Sequence, residues 1–413
     1  MGCAMNFDID PVLPVGTRIK HFRERAGMSR PVLAGLVGKT AEWLKAVENG
    51  RLRAPRLDLL LRIAQALELE DLAVLTGDGV AVPVRVFAGQ RHAALSAVQS
   101  ALTDYRVTPV VTRSPSTEHL AMRLQQAWAV RHASPDHRTQ LGALLPDLIR
   151  DAQTAARATS ADSARQARRV LAGVYRLADF YVAYQPAPEL VWMVADRAMA
   201  EARLADDPYA HAAGAWAMVQ ALRDAGRWEE AVQLATDAIR QLVPFLGTSP
   251  DDWRGISGAL EAEIAYVHAR RGRSGAAWEH WERANAVALR LGPEYRHVQT
   301  SFSQAVMSAH MTTIGVELRR PGEALRAAES FDADSITSLP RRSRHLIEVA
   351  RGHHQRDERA SVFAMLSSAE RVADETIKYN GHARDMLLDL NARPPSGMRE
   401  DVRSLCRRVG VAA

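Results

Sequence analysis

Two stretches of this chain form a weak repeat of each other. DAGRWEEAVQLATDAI (residues 224–239) and RRGRSGAAWEHWERAN (residues 270–285) both carry Gly at the same place (Gly226, Gly272), Ala five residues on (Ala231, Ala277) and Ala seven later (Ala238, Ala284). Glycine there turns one helix into the next, and small residues at those offsets let two antiparallel helices approach closely. QPAPELVWMVADRAMAEA (residues 185–202) repeats the scheme with Pro186, Val191 and Ala198, and QRDERASVFAMLSSAE (residues 355–370) repeats it imperfectly. Successive small positions lie 40 (191 to 231) and 46 (231 to 277) residues apart. A single helix pair cannot bury its apolar face alone, so a chain built this way has to stack its pairs into an array.

Composition agrees with an all-α chain. Its 413 residues are 47% hydrophobic but 6% aromatic, rich in Ala, Leu and Arg, which favours helix over sheet. The length exceeds one ordinary compact domain. Charge is unevenly spread: residues 1–56 hold ten Lys or Arg against five acids, leaving 43 of each sign in the remainder, so the whole +5 excess lies in the N-terminal segment. A basic segment joined to a neutral one points to a polyanion partner for the first alone.

That basic segment contains Gly38-Lys39-Thr40, the end of a phosphate-binding loop by simple pattern. Such a loop needs Gly five residues before Gly38, where Leu33 stands, and a preceding strand, whereas Leu33, Leu36 and Val37 have helical spacing. A helical reading accounts for more residues. A first helix over about residues 16–26 carries Ile19, Phe22 and Ala26 inward and stops at Gly27; Ser29 caps a second over 30–37, with Pro31 in its first turn. Thr40 caps a third over 41–49, with Leu44 and Val47 inward and Gly50 closing it. Pro55 opens a fourth helix with Leu57, Leu60, Leu61, Ala64 and Leu67 buried, and a fifth turn holds Leu72 and Leu75. Gly38-Lys39-Thr40 is therefore the turn between two short helices on a basic background, the pattern of a helix-turn-helix.

VGTRIKHFRERAGMSRPVLAGLVGKTAEWLKAVENG, with its spacing of Arg23, Gly27, Ser29, Leu33, Ala34, Gly38, Thr40 and Glu48-Asn49-Gly50, resembles the five-helix DNA-binding domain of the XRE (Cro/phage-repressor) family over residues 15–76. The resemblance implies that the third helix enters the major groove of double-stranded DNA with Ala41, Glu42, Trp43 and Lys45 facing base edges or flanking phosphates. Lys45 suits guanine or phosphate and Glu42 the cytosine amino group, while Arg30, Lys39, Thr40, Arg51 and Arg53 suit the backbone. Arg30 and Lys39 depart from the family pattern, where Gln and an apolar residue are common. The resemblance also implies a buried Arg23–Glu48 ion pair between the first and third helices.

Residues 77–117 are expected to be a connector with one helix over 89–105, set off by GDGVAVPV and VTPVVTRSPST. Residues 118–413 resemble a right-handed tetratricopeptide-like α-solenoid with helices longer than the roughly 34-residue unit allows, acting as a sensor and dimerisation domain. That resemblance places Arg176, Phe180 and Tyr184, then Trp216, Gln220 and Arg223, then Tyr266 and Arg270, along a concave groove. Aromatic rings interleaved with Arg suit an amphipathic or acidic signal: a small molecule, peptide or protein. Asn285, Asn380 and Asn391 are few side chains for gripping a peptide backbone, which lowers the peptide option.

Catalytic patterns are missing: GxSxG and HExxH do not occur, and His353-His354 read as surface residues. Cys3 and Cys406 cannot form a metal cluster, so no cofactor or metal is expected. No membrane span or secretion signal is expected, and Asn6 stands where a myristoylation signal needs Ser or Thr; the location expected is cytoplasmic. The tail RPPSGMREDVRSLCRRVG reads as a basic capping helix. Only four lysines, Lys20, Lys39, Lys45 and Lys378, in an Ala/Arg-rich chain resemble a high-GC bacterial source. The expectation is a homodimeric, ligand-sensing transcriptional regulator and not an enzyme. The alternative is a DNA-localised adaptor whose array recruits or sequesters a protein.

Overall fold

The computed structural model describes residues 13–52, 54–67, 69, 72–77, 90–105, 115–158 and 161–411. Among these, regular structure is entirely helical, and the chain divides into two compact units, 1–89 and 90–413.

The first unit holds α1 (Val15–Arg25), α2 (Arg30–Leu36), α3 (Ala41–Glu48), α4 (Leu57–Ala66) and α5 (Ala73–Thr76). α3 packs on both α1 and α2, α2 on α4, and α1 on α5. Ile19, Phe22, Leu33, Leu44, Val47, Ile63 and Leu75 form a shared core; Leu60, Ala64 and Leu67 join it and Leu61 is half-buried, while the Leu57 side chain lies outside the described residues. Gly38 sits at φ +69°, which a glycine tolerates without penalty in the tight α2–α3 turn. Gly16 serves differently: a Cβ there would lie 2.0 Å from the Val47 carbonyl oxygen, so its bareness sets how closely α1 approaches α3.

The second unit begins with α6 (Leu95–Leu102), whose Leu95, Val98 and Leu102 are buried against α8. Five helix pairs and a leading pair follow: α7 (Thr117–Ala133) with α8 (His137–Ala158), α9 (Ala161–Val182) with α10 (Pro188–Leu204), α11 (Pro208–Asp224) with α12 (Trp228–Leu242), α13 (Asp251–Arg270) with α14 (Ser274–Leu291), α15 (Gln304–Glu317) with α16 (Pro321–Glu329), and α17 (Leu339–Gln355) with α18 (Arg359–Val372). Each packs on its neighbour, and α7, α9, α11, α13, α15 and α17 also pack on one another in series. That double contact pattern is a helical repeat array.

The Ala offsets explain the spacing. Ala231 and Ala238 on α12 and Ala277 and Ala284 on α14 are all buried, letting each second helix nest on its first. The turns within pairs reach positive φ at Tyr184, Gly226, Gly272, Arg319 and Asp357. Arg319 marks the α15–α16 pair, and Gly315 supplies its close approach, since a Cβ there would meet Ala324 at 2.9 Å.

The array curls until its ends meet. α17 packs against α7, and α19 (Asp374–Lys378) brings Glu375 to the start of α8. There the Glu375 carboxylate accepts from the Arg138 and Thr139 backbone N–H groups and the Thr139 hydroxyl, capping a helix 236 residues away in sequence. His132 of α7 also faces Ser338 at 2.9 Å. α20 (Gly381–Ala392) and α21 (Arg399–Val409) close the core beyond α18 with Met386, Leu387, Val402 and Cys406.

Candidate nucleic-acid interface and array cavity

The outward side of α3 is built by what its inward side does. Thr40 caps it, its hydroxyl accepting from the Trp43 N–H at 3.1 Å, and the N–H groups of Gly50 and Arg51 close its far end on the Val47 and Ala46 carbonyls. Leu44, Val47 and Glu48 point inward. Glu48 is the pivot. Its Oε1 receives Arg23 Nε at 2.6 Å, and its Oε2 receives Arg23 Nη2 at 3.1 Å and Arg30 Nε at 2.6 Å. Burial pushes the Glu48 carboxyl up, but the hydrogen bonds from Arg23 and Arg30 outweigh it and hold the group below its ordinary range. The Glu48 hydrogen bond holds Arg23 above its ordinary value. Arg23 also donates to the Met28 carbonyl at 2.8 Å, so one guanidinium joins α1, the α1–α2 turn and α3.

With the helix pinned this way, Glu42, Lys45 and Asn49 are exposed on its free side and Ala41 is half-buried beside them. Trp43 is half-buried, with the Lys39 ammonium 5.8 Å from its ring centre. Thr40, Lys39 and Arg51 are exposed around the helix ends. Arg30 is about one-third exposed and spends its Nε on Glu48, a tie the sequence did not disclose. Arg53 lies outside the described residues, as do residues 1–12 with Cys3 and Asn6, and the segments 78–89 and 106–114 that flank the expected connector helix.

In the second unit a cavity of about 480 Å³ opens where the array closes. Phe180, Tyr184, Trp216, Gln220 and Arg223, five of the eight groove residues expected from sequence, line it. The other three are not among the residues that line it. Arg176 is drawn inward to donate to the Ala210 carbonyl at 3.3 Å, Tyr266 lies 4.6 Å beneath the Arg223 guanidinium, and Arg270 pairs with Asp224 at 2.9 Å. Tyr184 takes φ +66°, an unfavourable backbone for an aromatic residue. It thereby places its ring between the guanidinium groups of Arg138 (6.0 Å) and Arg344 (5.7 Å), and its hydroxyl accepts from Arg344.

The opposite wall was not visible in the sequence. It comes from α7, α8 and α17, which contribute Arg131, Arg138, Arg341 and Arg344. Phe180 and Trp216 stack at 5.7 Å, and the edge of Phe180 meets Trp128 at 5.3 Å. Five guanidinium groups thus face two carboxyls, Asp179 and Asp224. Burial, with the nearby Asp224 charge, pushes the Asp179 carboxyl up to about 7. Nothing in this wall resembles a nucleophile held by a base, and among the described residues no group of three His, Cys, Asp or Glu is placed to hold a metal.

Comparison with known proteins adds one assignment. The helix-turn-helix domain family matches residues 14–76, so α1 to α5 form a helix-turn-helix domain within a chain that is otherwise a helical repeat array. Among solved structures, ComR from S.thermophilus, crystallised with DNA and its signalling peptide ComS, is similar at 13% identity and a TM-score of 0.31, over 87% of this chain and 99% of that one. At that score the likeness carries no argument. No curated protein matches the chain. No described helix is long and apolar enough to cross a membrane.

Proposed function

We propose that this chain is an XRE-type transcriptional regulator in which residues 15–76 read double-stranded DNA, 77–117 connect, and 118–413 form a tetratricopeptide-like domain that dimerises and senses a signal. The observation that carries this reading is the exposed, polar side of a capped α3, fixed from behind by the Arg23–Glu48–Arg30 cluster. Lys45 and Glu42 supply a donor and an acceptor for base edges, with Ala41 and Trp43 beside them; Lys39, Thr40, Arg51, Arg53 and the free nitrogens of Arg30 hold phosphates. A homodimer would present two such helices to half-sites about one turn apart. The signal enters the cavity lined by Phe180, Tyr184, Trp216, Gln220 and Arg223 and biases the dimer between geometries.

Selection of duplexes from a random pool by the full-length protein, followed by footprinting, tests this. A recovered two-fold site protected at one-turn spacing is expected. Recovery of no preferred sequence would remove the DNA-reading part.

A further inference from the structure

Buried charges in proteins are paired, because an uncompensated ion away from water costs several kcal/mol. Arg223 and Arg344 obey this, the first through Glu263 and the second through Glu348 at 2.8 Å. Arg131 does not. It is 7% exposed, lines the cavity, and makes neither a hydrogen bond nor a salt bridge; its Nε and Nη1 are buried without a partner. Its guanidinium lies 4.6 Å from the centre of the Phe180 ring, a contact that leaves the N–H groups at its rim unused. Arg138 and Arg341, on the same wall, have no carboxylate within salt-bridge distance; each donates to a backbone carbonyl, of Tyr181 and Thr300. Burial, and then the like charges of Arg341 and Arg138, bring Arg131 down to about 9. Three cations from α7, α8 and α17 are therefore gathered where α7 meets α17, and neither acid of the cavity pairs with them: Asp224 is taken by Arg223 and Arg270, and Asp179 lies beside that pair with its carboxyl pushed up to about 7.

We infer that the cavity takes a small organic anion, its carboxylate or phosphate gripped by Arg131 with Arg138 and Arg341, and its apolar ring system laid against Phe180, which Trp216 backs. The inference rests on the signal-sensing part of the proposed function and narrows it to one ligand class. Geometry favours a small molecule over a peptide. About 480 Å³ lies within the range of small-molecule sites, and the half-buried Phe180 lends it an apolar wall that the buried Trp216 backs. Arg138 and Arg341 stand on the two sides of the seam that Glu375 and Tyr184 bridge. An anion held between them would tighten the closure of the array, and so read out binding as a change in its curvature.

Calorimetric titration of the full-length protein with 2-naphthoate, phenyl phosphate and the neutral 2-naphthamide tests the assignment. At least one anion should bind with one site per chain, and the amide roughly tenfold or more weaker. Arg131→Met should weaken the anion by roughly ten- to a hundredfold, the range for a charge-assisted hydrogen-bonded contact. It should not lower the melting temperature of the free protein, since it removes a charge that nothing neutralises; Arg341→Met serves as the second variant and should weaken the anion in the same direction. Equal binding of naphthoate and naphthamide overturns the inference. So does failure of both anions, capture of peptides from a random pool unaffected by Arg131→Met, or a melting temperature lowered by Arg131→Met and restored by Arg131→Lys. DNA affinity measured by anisotropy on the same samples separates the two claims. Anion binding without salt-dependent DNA affinity removes the regulator reading alone, and DNA affinity without anion binding removes this inference alone.

Discussion

Replacing Glu48 by alanine should undo the first unit from its centre. The substitution strips the counter-charge from Arg23, which is 5% exposed and cannot turn to water without leaving α1, the α1–α2 turn and α3 unconnected. Removing one partner of a buried ion pair costs about 3–5 kcal/mol. The Arg30 contact adds under about 1 kcal/mol, because that side chain is one-third exposed and screened. A unit of this size has a total stability of roughly 3–9 kcal/mol, so the loss is comparable to everything holding it folded. The expected fall in melting temperature is at least about 12 °C. Hydrogen exchange of the full-length protein, read at the amides of α1 to α3, measures the same loss locally. Arg23→Met with Glu48→Leu should recover most of it, and Arg30→Ala alone should move it little. Because the Glu48 carboxyl sits below its ordinary value when folded, its contribution is present at neutral pH and fades as the pH falls through that lowered value. A change under about 1 kcal/mol in Glu48→Ala, far below the penalty for an orphaned buried charge, would refute this reasoning.

Three other perturbations follow from the same structure. His297, His137 and His345 are buried, and burial above all holds them near 3, 2 and 4 against an ordinary 6.5. Between pH 6.5 and about 4 the unfolded chain binds protons that the folded one refuses, so stability should fall as pH drops below 6.5, by about 2 kcal/mol per histidine at pH 5; thermal melts at pH 7.5 and 5.0 check it, and equal melting temperatures would contradict it. Gly16→Val would drive a methyl-bearing carbon into the Val47 carbonyl oxygen 2.0 Å away, costing about 1–3 kcal/mol or more, visible as a lowered melting temperature together with weaker DNA binding as α3 shifts. Glu375→Gln leaves the start of α8 with a poorer cap and should cost about 1–2 kcal/mol, raising exchange at the Arg138 and Thr139 amides before those of α13.

Local features were legible in the sequence because their causes are local. Gly27, Gly38 and Gly50 punctuate the first three helices at positive φ, and Ser29 and Thr40 stand at the expected helix starts, although only the Thr40 side chain makes a capping hydrogen bond. The Arg23–Glu48 pair came from the family resemblance and is present. The Ala offsets gave the pairs on α12 and α14 but hid the α15–α16 pair, since Arg319 occupies the left-handed position where Gly226 and Gly272 stand. Register along a helix likewise put Phe180, Trp216 and Arg223 on the cavity side but could not say that Arg176 and Tyr266 would be consumed in packing. Arg131, Arg341 and Arg344 carried no signal at all. They become neighbours only because α7 meets α17 after the array has completed its turn, a property of accumulated helix-pair rotation that no short window contains.

The central claim, that the free side of α3 lies along a duplex, is tested most directly by the salt dependence of DNA affinity for the full-length protein and for Lys45→Ala. The native protein should show log affinity falling linearly with log salt, and Lys45→Ala should weaken binding and reduce that slope by about one counterion if Lys45 meets phosphate, or relax base preference at one position if it meets guanine. Binding that is absent at low salt, or that is identical in slope, affinity and sequence preference with and without the Lys45 ammonium, would contradict it.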